Sequence, residues 1–132
     1  MPLFAGVCSP AQVSRLTENL RTAFVKSEKW KLCPSTAASE PGFEALKYWR
    51  GPIWVNVNWM LWHGLQSQGC AELAERVKRE TLELIHNYGM WEYFDARPAV
   101  EGGARRGLGA DEFSWTAALY LDWMSNSRPF GR

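Results

Sequence analysis

The stretch from Ile53 to Gln68 constrains the fold more than any other part of this sequence. Read as a helix that follows the Gly51-Pro52 turn and stops at Gly69, it puts Val57, Leu61 and Leu65 in one stripe. Trp54, Asn58, Trp59, Trp62 and His63 cover much of the remaining surface. A surface helix keeps one polar face, and a helix apolar nearly all round has to be enclosed by other elements. The chain therefore has to be built around this helix, inside something larger than a two-helix pair.

Three further helices can be read. Ser9 suits an N-cap, Pro10 the first helical position, and Gln12 completes a capping box. Val13, Leu16, Leu20 and Phe24 then recur on one face, and this helix should fade near Ser27. Lys29 to Lys47 has no period and reads as loop, with Trp30 or Phe43 tucked in. A helix from Cys70 or Ala71 to Tyr88 turns Leu73, Val77, Thr81, Leu84 and Tyr88 inward. Its solvated face is Glu72, Glu75, Arg76, Lys78, Arg79, Glu80 and Glu83, and Gly89 ends it. The last helix, from Phe113-Ser114 to about Met124, should be buried on several faces. No convincing strand is present. The expected class is all-α, built of antiparallel helix hairpins over residues 1–132 as one unit.

Composition removes several function classes. Lys and Arg number 15 against 14 Asp and Glu, so there is no electrostatic footprint for nucleic acid or an anionic membrane. Arg105-Arg106 is an isolated basic spot in a Gly-rich loop. No run approaches the ~20 apolar residues of a membrane span, and residues 1–10 do not read as a signal peptide. Cys8, Cys33 and Cys70 are too few and too scattered for a disulfide framework or a zinc knuckle. An odd count fits a reducing compartment, so a cytoplasmic location is expected.

Two clusters could carry chemistry. Tyr48-Trp49-Arg50-Gly51-Pro52-Ile53-Trp54 holds three aromatic rings and a permanent cation. Flat rings complement the C–H faces of a pyranose, and the fork of donors on Arg50 suits sugar hydroxyls or a carboxylate. The competing readings are core packing for Tyr48, Trp49 and Trp54 and a structural ion pair for Arg50. In Trp91-Glu92-Tyr93-Phe94-Asp95, Glu92 is a plausible general base, against the plainer reading of a surface or capping carboxylate. Asp95 reads as a residue that orients its neighbours, and Asp111 and Glu112 as helix-start charges. His63 and His86 lack partners at metal-ligand spacing and read as structural, so no metal or cofactor is called for. Gly107-Leu108-Gly109 is too short for a phosphate cradle and suits a tight turn.

Three segments taken together resemble the C-terminal part of glycoside hydrolase family 63. They are Tyr48 to Trp54, Glu92 to Asp95, and Gly107-Leu108-Gly109 followed by Phe113-Ser114-Trp115-Thr116-Ala117-Ala118-Leu119. That group includes processing α-glucosidase I and the bacterial mannosylglycerate and glucosylglycerate hydrolases, and Pro2 to Gly6 resembles a run inside the small bacterial enzymes. The resemblance implies part of an (α/α)6 toroid and hydrolysis of α-linked sugars with inversion. By the same resemblance Glu92 falls on the general base, Tyr48, Trp49 and Trp54 on substrate-contacting rings, and Arg50 on substrate contact or support of the base. Trp115 falls at a helix start of the pattern, where packing and sugar contact are both open. The family's general acid, an aspartate, lies N-terminal to anything present here, and no Asp precedes Asp95. The loop after Asp95 also departs from the family pattern, with Ala96 where proline is common.

The expectation is thus the C-terminal third of an inverting α-glycosidase, with the general base and sugar wall present and the acid absent. Its partners would be an α-linked sugar and the missing N-terminal part of the toroid. The rival from another class is a non-catalytic helical fragment that holds a sugar or docks on a separate N-terminal half. A remnant without function would expose apolar faces meant for neighbouring helices.

Overall fold

Ser9 starts a helix as its sequence demands. Its hydroxyl accepts the Gln12 N–H at 3.4 Å, and its own N–H donates to Gln12 Oε1 at 2.8 Å. This capping box opens the second helix of the computed structural model, which describes residues 1–24, 29–98 and 107–125. The elements run α1 (Pro2–Ala5), α2 (Pro10–Thr22), a 3-10 turn (Tyr48–Arg50), α3 (Val55–Ser67), α4 (Ala71–Tyr88), β1 (Tyr93–Phe94), β2 (Gly107–Leu108) and α5 (Ser114–Ser125). α2 ends at Thr22, earlier than expected. Ser27, Arg105-Arg106 and most of the irregular segment from Val100 to Ala110 lie outside the described residues.

α3 is the centre, packed against α1, α4 and α5. It buries Val55, Asn58, Leu61, Trp62, Gly64 and Leu65. The buried stripe therefore begins at Val55 rather than Val57, which is only half-buried. Gly64 lets the backbone of α1 lie directly on the helix: a Cβ there would stand 2.6 Å from the Phe4 nitrogen. Gly69, in the left-handed region (φ 75°), reverses the chain into α4 and makes an antiparallel hairpin.

On α4, Leu73, Val77, Thr81 and Leu84 are buried as expected, whereas Tyr88 is 42 % exposed. Glu80, expected on the solvated face, is only 8 % exposed. The reason is a partner distant in sequence: its carboxylate accepts the Leu32 N–H at 2.7 Å and Arg76 Nε–H at 2.8 Å. Beside it, fully buried Asn58 accepts the Cys33 N–H (3.4 Å) and donates to the Leu32 carbonyl (3.1 Å) and Thr81 Oγ1 (2.9 Å). These bonds pin the segment around Trp30 to Pro34 into the α3–α4 hairpin, with Trp30 buried and Phe43 packed against it.

α5 departs from expectation. Only Thr116 and Trp123 are buried, while Trp115, Leu121 and Met124 are exposed. The helix is covered on the side that meets α3, where Trp59 Nε1–H donates to Asp122 Oδ2 at 2.7 Å. The strands are a second correction. β1 and β2 pair antiparallel, Tyr93 opposite Leu108 and Phe94 opposite Gly107, and Ile53 bridges both Pro34 and Phe94. Two-residue strands are too short to show a period in sequence. Among the described residues no helix is long and apolar enough to cross a membrane.

All three thiols are free. Cys33 is buried, which pushes its thiol pKa far above the ordinary range. A chromogenic thiol reagent is expected to label at most Cys8 and Cys70 in the folded chain. The third equivalent should appear only on unfolding; prompt labelling of all three would contradict the burial of Cys33.

Candidate active site

The Gly51-Pro52 turn and the Ile53–Phe94 bridge bring the two aromatic clusters together. Ile53 and Phe94 exchange backbone hydrogen bonds of 2.7 and 2.8 Å, so their neighbours Trp54 and Tyr93 come face to face. Trp54 stacks on Trp49 (centroids 3.8 Å, 12°) and on Tyr93 (4.9 Å, 22°). Tyr48 stands edge-on to Trp54, Tyr93 and Trp49 at 4.8, 5.3 and 5.7 Å. Trp54 is 2 % exposed, and Tyr48 and Trp49 are each 47 % exposed. Trp54 is thus the covered middle of a three-ring stack, and Trp49 and Tyr48 are the rings a ligand can reach.

Tyr48 adopts φ 35°, an uncommon conformation for a bulky residue that the surroundings must enforce. The enforcing bonds are Arg50 N–H to the Lys47 carbonyl (2.7 Å), Glu44 N–H to the Arg50 carbonyl (2.7 Å) and Trp54 Nε1–H to the Tyr48 carbonyl (3.2 Å). Arg50 makes a 2.7 Å ion pair with Glu44, and its Nε–H donates to the Gly42 carbonyl. Its guanidinium thus spans this loop from Gly42 to Glu44.

Glu92 sits against this wall. Its Oε1 accepts the Tyr48 hydroxyl at 3.1 Å and its Oε2 accepts the Ala110 N–H at 3.1 Å, while its own N–H donates to the Ala110 carbonyl. Each carboxylate oxygen keeps a further lone pair for water or substrate. Gly109, at φ 76°, lies beneath the carboxylate, where a Cβ would come within 2.5 Å of Oε2. The carboxylate in turn keeps the Tyr48 hydroxyl protonated, raising its pKa above the usual value chiefly through their hydrogen bond. The pKa of Tyr93 is also raised, first by burial and then by Glu92.

Sequence reasoning gave no role to Ala110 or Gly109 in seating this carboxylate, or to Tyr93 in the ring stack beside it. The left-handed glycine was the available signal, and it read only as a turn. Asp95 is almost wholly buried and paired with Arg97 through Nε and Nη2 at 2.9–3.2 Å, a structural role. Trp115 is 57 % exposed, with Phe113 as its ring partner. Its helix is tied to the Glu92 segment by Thr116 Oγ1–H to the Trp91 carbonyl (2.7 Å) and Phe113 N–H to the Met90 carbonyl (2.6 Å).

Residues 1–116 match the family described as the mannosylglycerate hydrolase MGH1-like glycoside hydrolase domain. This chain belongs to that family. Among its relatives, mannosylglycerate hydrolase MGH2 of Selaginella moellendorffii is 41 % identical over 127 residues, covering 96 % of this chain and 24 % of that protein. The mannosylglycerate hydrolase of Thermus thermophilus is 38 % identical over 93 % of this chain and 28 % of its own length. A crystal structure of a GH63 mannosylglycerate hydrolase from Thermus thermophilus in complex with glucose superposes with a TM-score of 0.83 at 39 % identity, over 93 % of this chain and 29 % of that one. The helices here thus have the arrangement of part of an (α/α)6 toroid. The chain spans about a quarter of the length of the curated relatives it matches.

Proposed function

We propose that this chain, the C-terminal portion of an (α/α)6 catalytic domain, supplies the general base and one sugar-binding wall of an inverting α-glycosidase acting on mannosyl- or glucosylglycerate-type substrates. The observation that carries the reading is Glu92, a carboxylate held at both oxygens beside the exposed rings of Tyr48 and Trp49. In the inverting reaction Glu92 takes a proton from water as the water oxygen bonds to the anomeric carbon. The glycosidic C–O bond breaks, and a carboxylic acid on the opposite face protonates the leaving oxygen. Trp49 offers the apolar face for the sugar, Tyr48 borders it, Trp54 backs the stack, and Arg50 keeps the loop in place. Trp115 lies at the start of α5, where an exposed ring can meet either sugar or a neighbouring helix.

In this scheme the acid, which the family resemblance puts N-terminal to these residues, comes from other polypeptide. Asp95 is committed to Arg97, and the inverting geometry needs two carboxyl groups roughly 6.5–9.5 Å apart. The purified 132-residue chain is therefore expected to release no hexose from mannosyl- or glucosylglycerate. Co-expression with the segment encoded upstream should restore release, assayed on α-mannosides and α-glucosides. Steady turnover by the chain alone would defeat the reading.

The exposed Trp115, Leu121 and Met124 favour a second reading, a helical module that docks on a separate N-terminal half without adding chemistry. An upstream frame that encodes the missing helices and acidic residue supports the split enzyme, whereas unchanged hexose release by Glu92→Gln in the co-expressed pair supports the module without chemistry. The free thiols fit a cytoplasmic setting.

A further inference from the structure

We propose that Tyr48 is a positioning residue for Glu92, its phenol holding one carboxylate oxygen so that the other lone pairs face the water and sugar. This rests on the reading of Glu92 as the base, and it gives Tyr48 a role different from the sugar contact that the aromatic run implies. Three observations carry it. The Tyr48 hydroxyl is spent on Glu92 Oε1 at 3.1 Å. Its ring is packed edge-on against Trp49, Trp54 and Tyr93, which fixes where the phenol oxygen sits. Its backbone is held in a left-handed conformation by a loop closed through Arg50 and Glu44, which is more constraint than a simple platform for a sugar requires. With Ala110 N–H on Oε2, the Tyr48 bond leaves the carboxylate one orientation. The groups that bear on Tyr48 are Glu92 and Tyr93; the nearby Arg50 charge is paired with Glu44.

The test is Tyr48→Phe, which keeps the ring and removes only the hydroxyl. In the co-expressed enzyme kcat is expected to fall roughly tenfold or more, with KM changed by less than about twofold, as for an interaction that matters in the transition state. A raised KM with kcat intact would make Tyr48 a sugar contact and overturn the proposal. A second measurement needs no activity. Carbon-13 titration of ring-labelled tyrosines in the chain itself should place Tyr48 above the ordinary tyrosine range, and Glu92→Gln should bring its midpoint down. Equal midpoints in the two proteins would mean that the bond is not made, and the proposal falls. Failure of the base assignment has a different signature: Glu92→Gln would stay active while the Tyr48 titration still responded to it.

Discussion

Glu92→Gln in the co-expressed enzyme is expected to lower kcat by roughly 10²- to 10⁴-fold, the range that a positioned general base contributes. The substitution suits the test because its geometry is conservative. The amide oxygen can take the place of Oε2 and accept the Ala110 N–H, and the amide nitrogen can donate to the Tyr48 oxygen, which accepts as well as donates. The reverse orientation would set two N–H donors against each other. One rotamer therefore keeps the local fold, and the melting temperature of the variant should stay close to that of the parent. What is lost is the ability to take a proton from water. Hexose release measured beside a circular dichroism melt separates these effects. More than about a tenth of parental kcat in a folded variant would sink the assignment of Glu92 as base.

Asn58→Ala should be the most damaging single change to stability among the polar positions, costing roughly 2–5 kcal/mol. Asn58 is fully buried, and its side chain serves three partners. Thr81 would keep its bond to the Val77 carbonyl (2.7 Å). The Cys33 N–H and Leu32 carbonyl would be left facing a cavity, at about 1–3 kcal/mol for each unsatisfied group. Against a typical total of about 5–15 kcal/mol, such a loss moves a urea unfolding midpoint far to lower denaturant. A loss below about 1 kcal/mol would mean that the loop is held by other means. The damage should also reach the site, because Pro34 bridges Ile53, Ile53 bridges Phe94, and Phe94 is two residues from Glu92.

Much of this was legible locally. The Ser9–Gln12 box, the stops at Gly69 and Gly89 and the lengths of α3 and α4 are set by contacts within a few residues. The rest depended on partners far along the chain. Glu80 looks like a surface residue until the Leu32 N–H reaches it from 48 residues away. Val57 and Val55 are equally apolar, and only the tertiary packing around α3 decides which is buried. α5 is so uniformly apolar that its sequence names no inner face, and the face that meets α3 was found only in the packing. In the site, the pairing of Tyr48 with Glu92 joins residues 44 apart. The resemblance placed both residues in one pocket, yet it did not foretell that one would hold the other.

The Trp49–Trp54–Tyr93 stack has a consequence for how loss of activity is interpreted. Tyr93 is covalently next to Glu92, so the wall and the base form one mechanical body. A substitution at Trp54, which is 2 % exposed, removes the keystone between them and tilts the carboxylate as it lowers the platform. Inactivity after such a change reports loss of alignment, and it is no measure of how tightly Trp54 grips a sugar. Trp49 ends the stack and is half-exposed, but its ring also rests on Tyr48, so a change there has to be judged by the Tyr48–Glu92 bond as well as by ligand affinity.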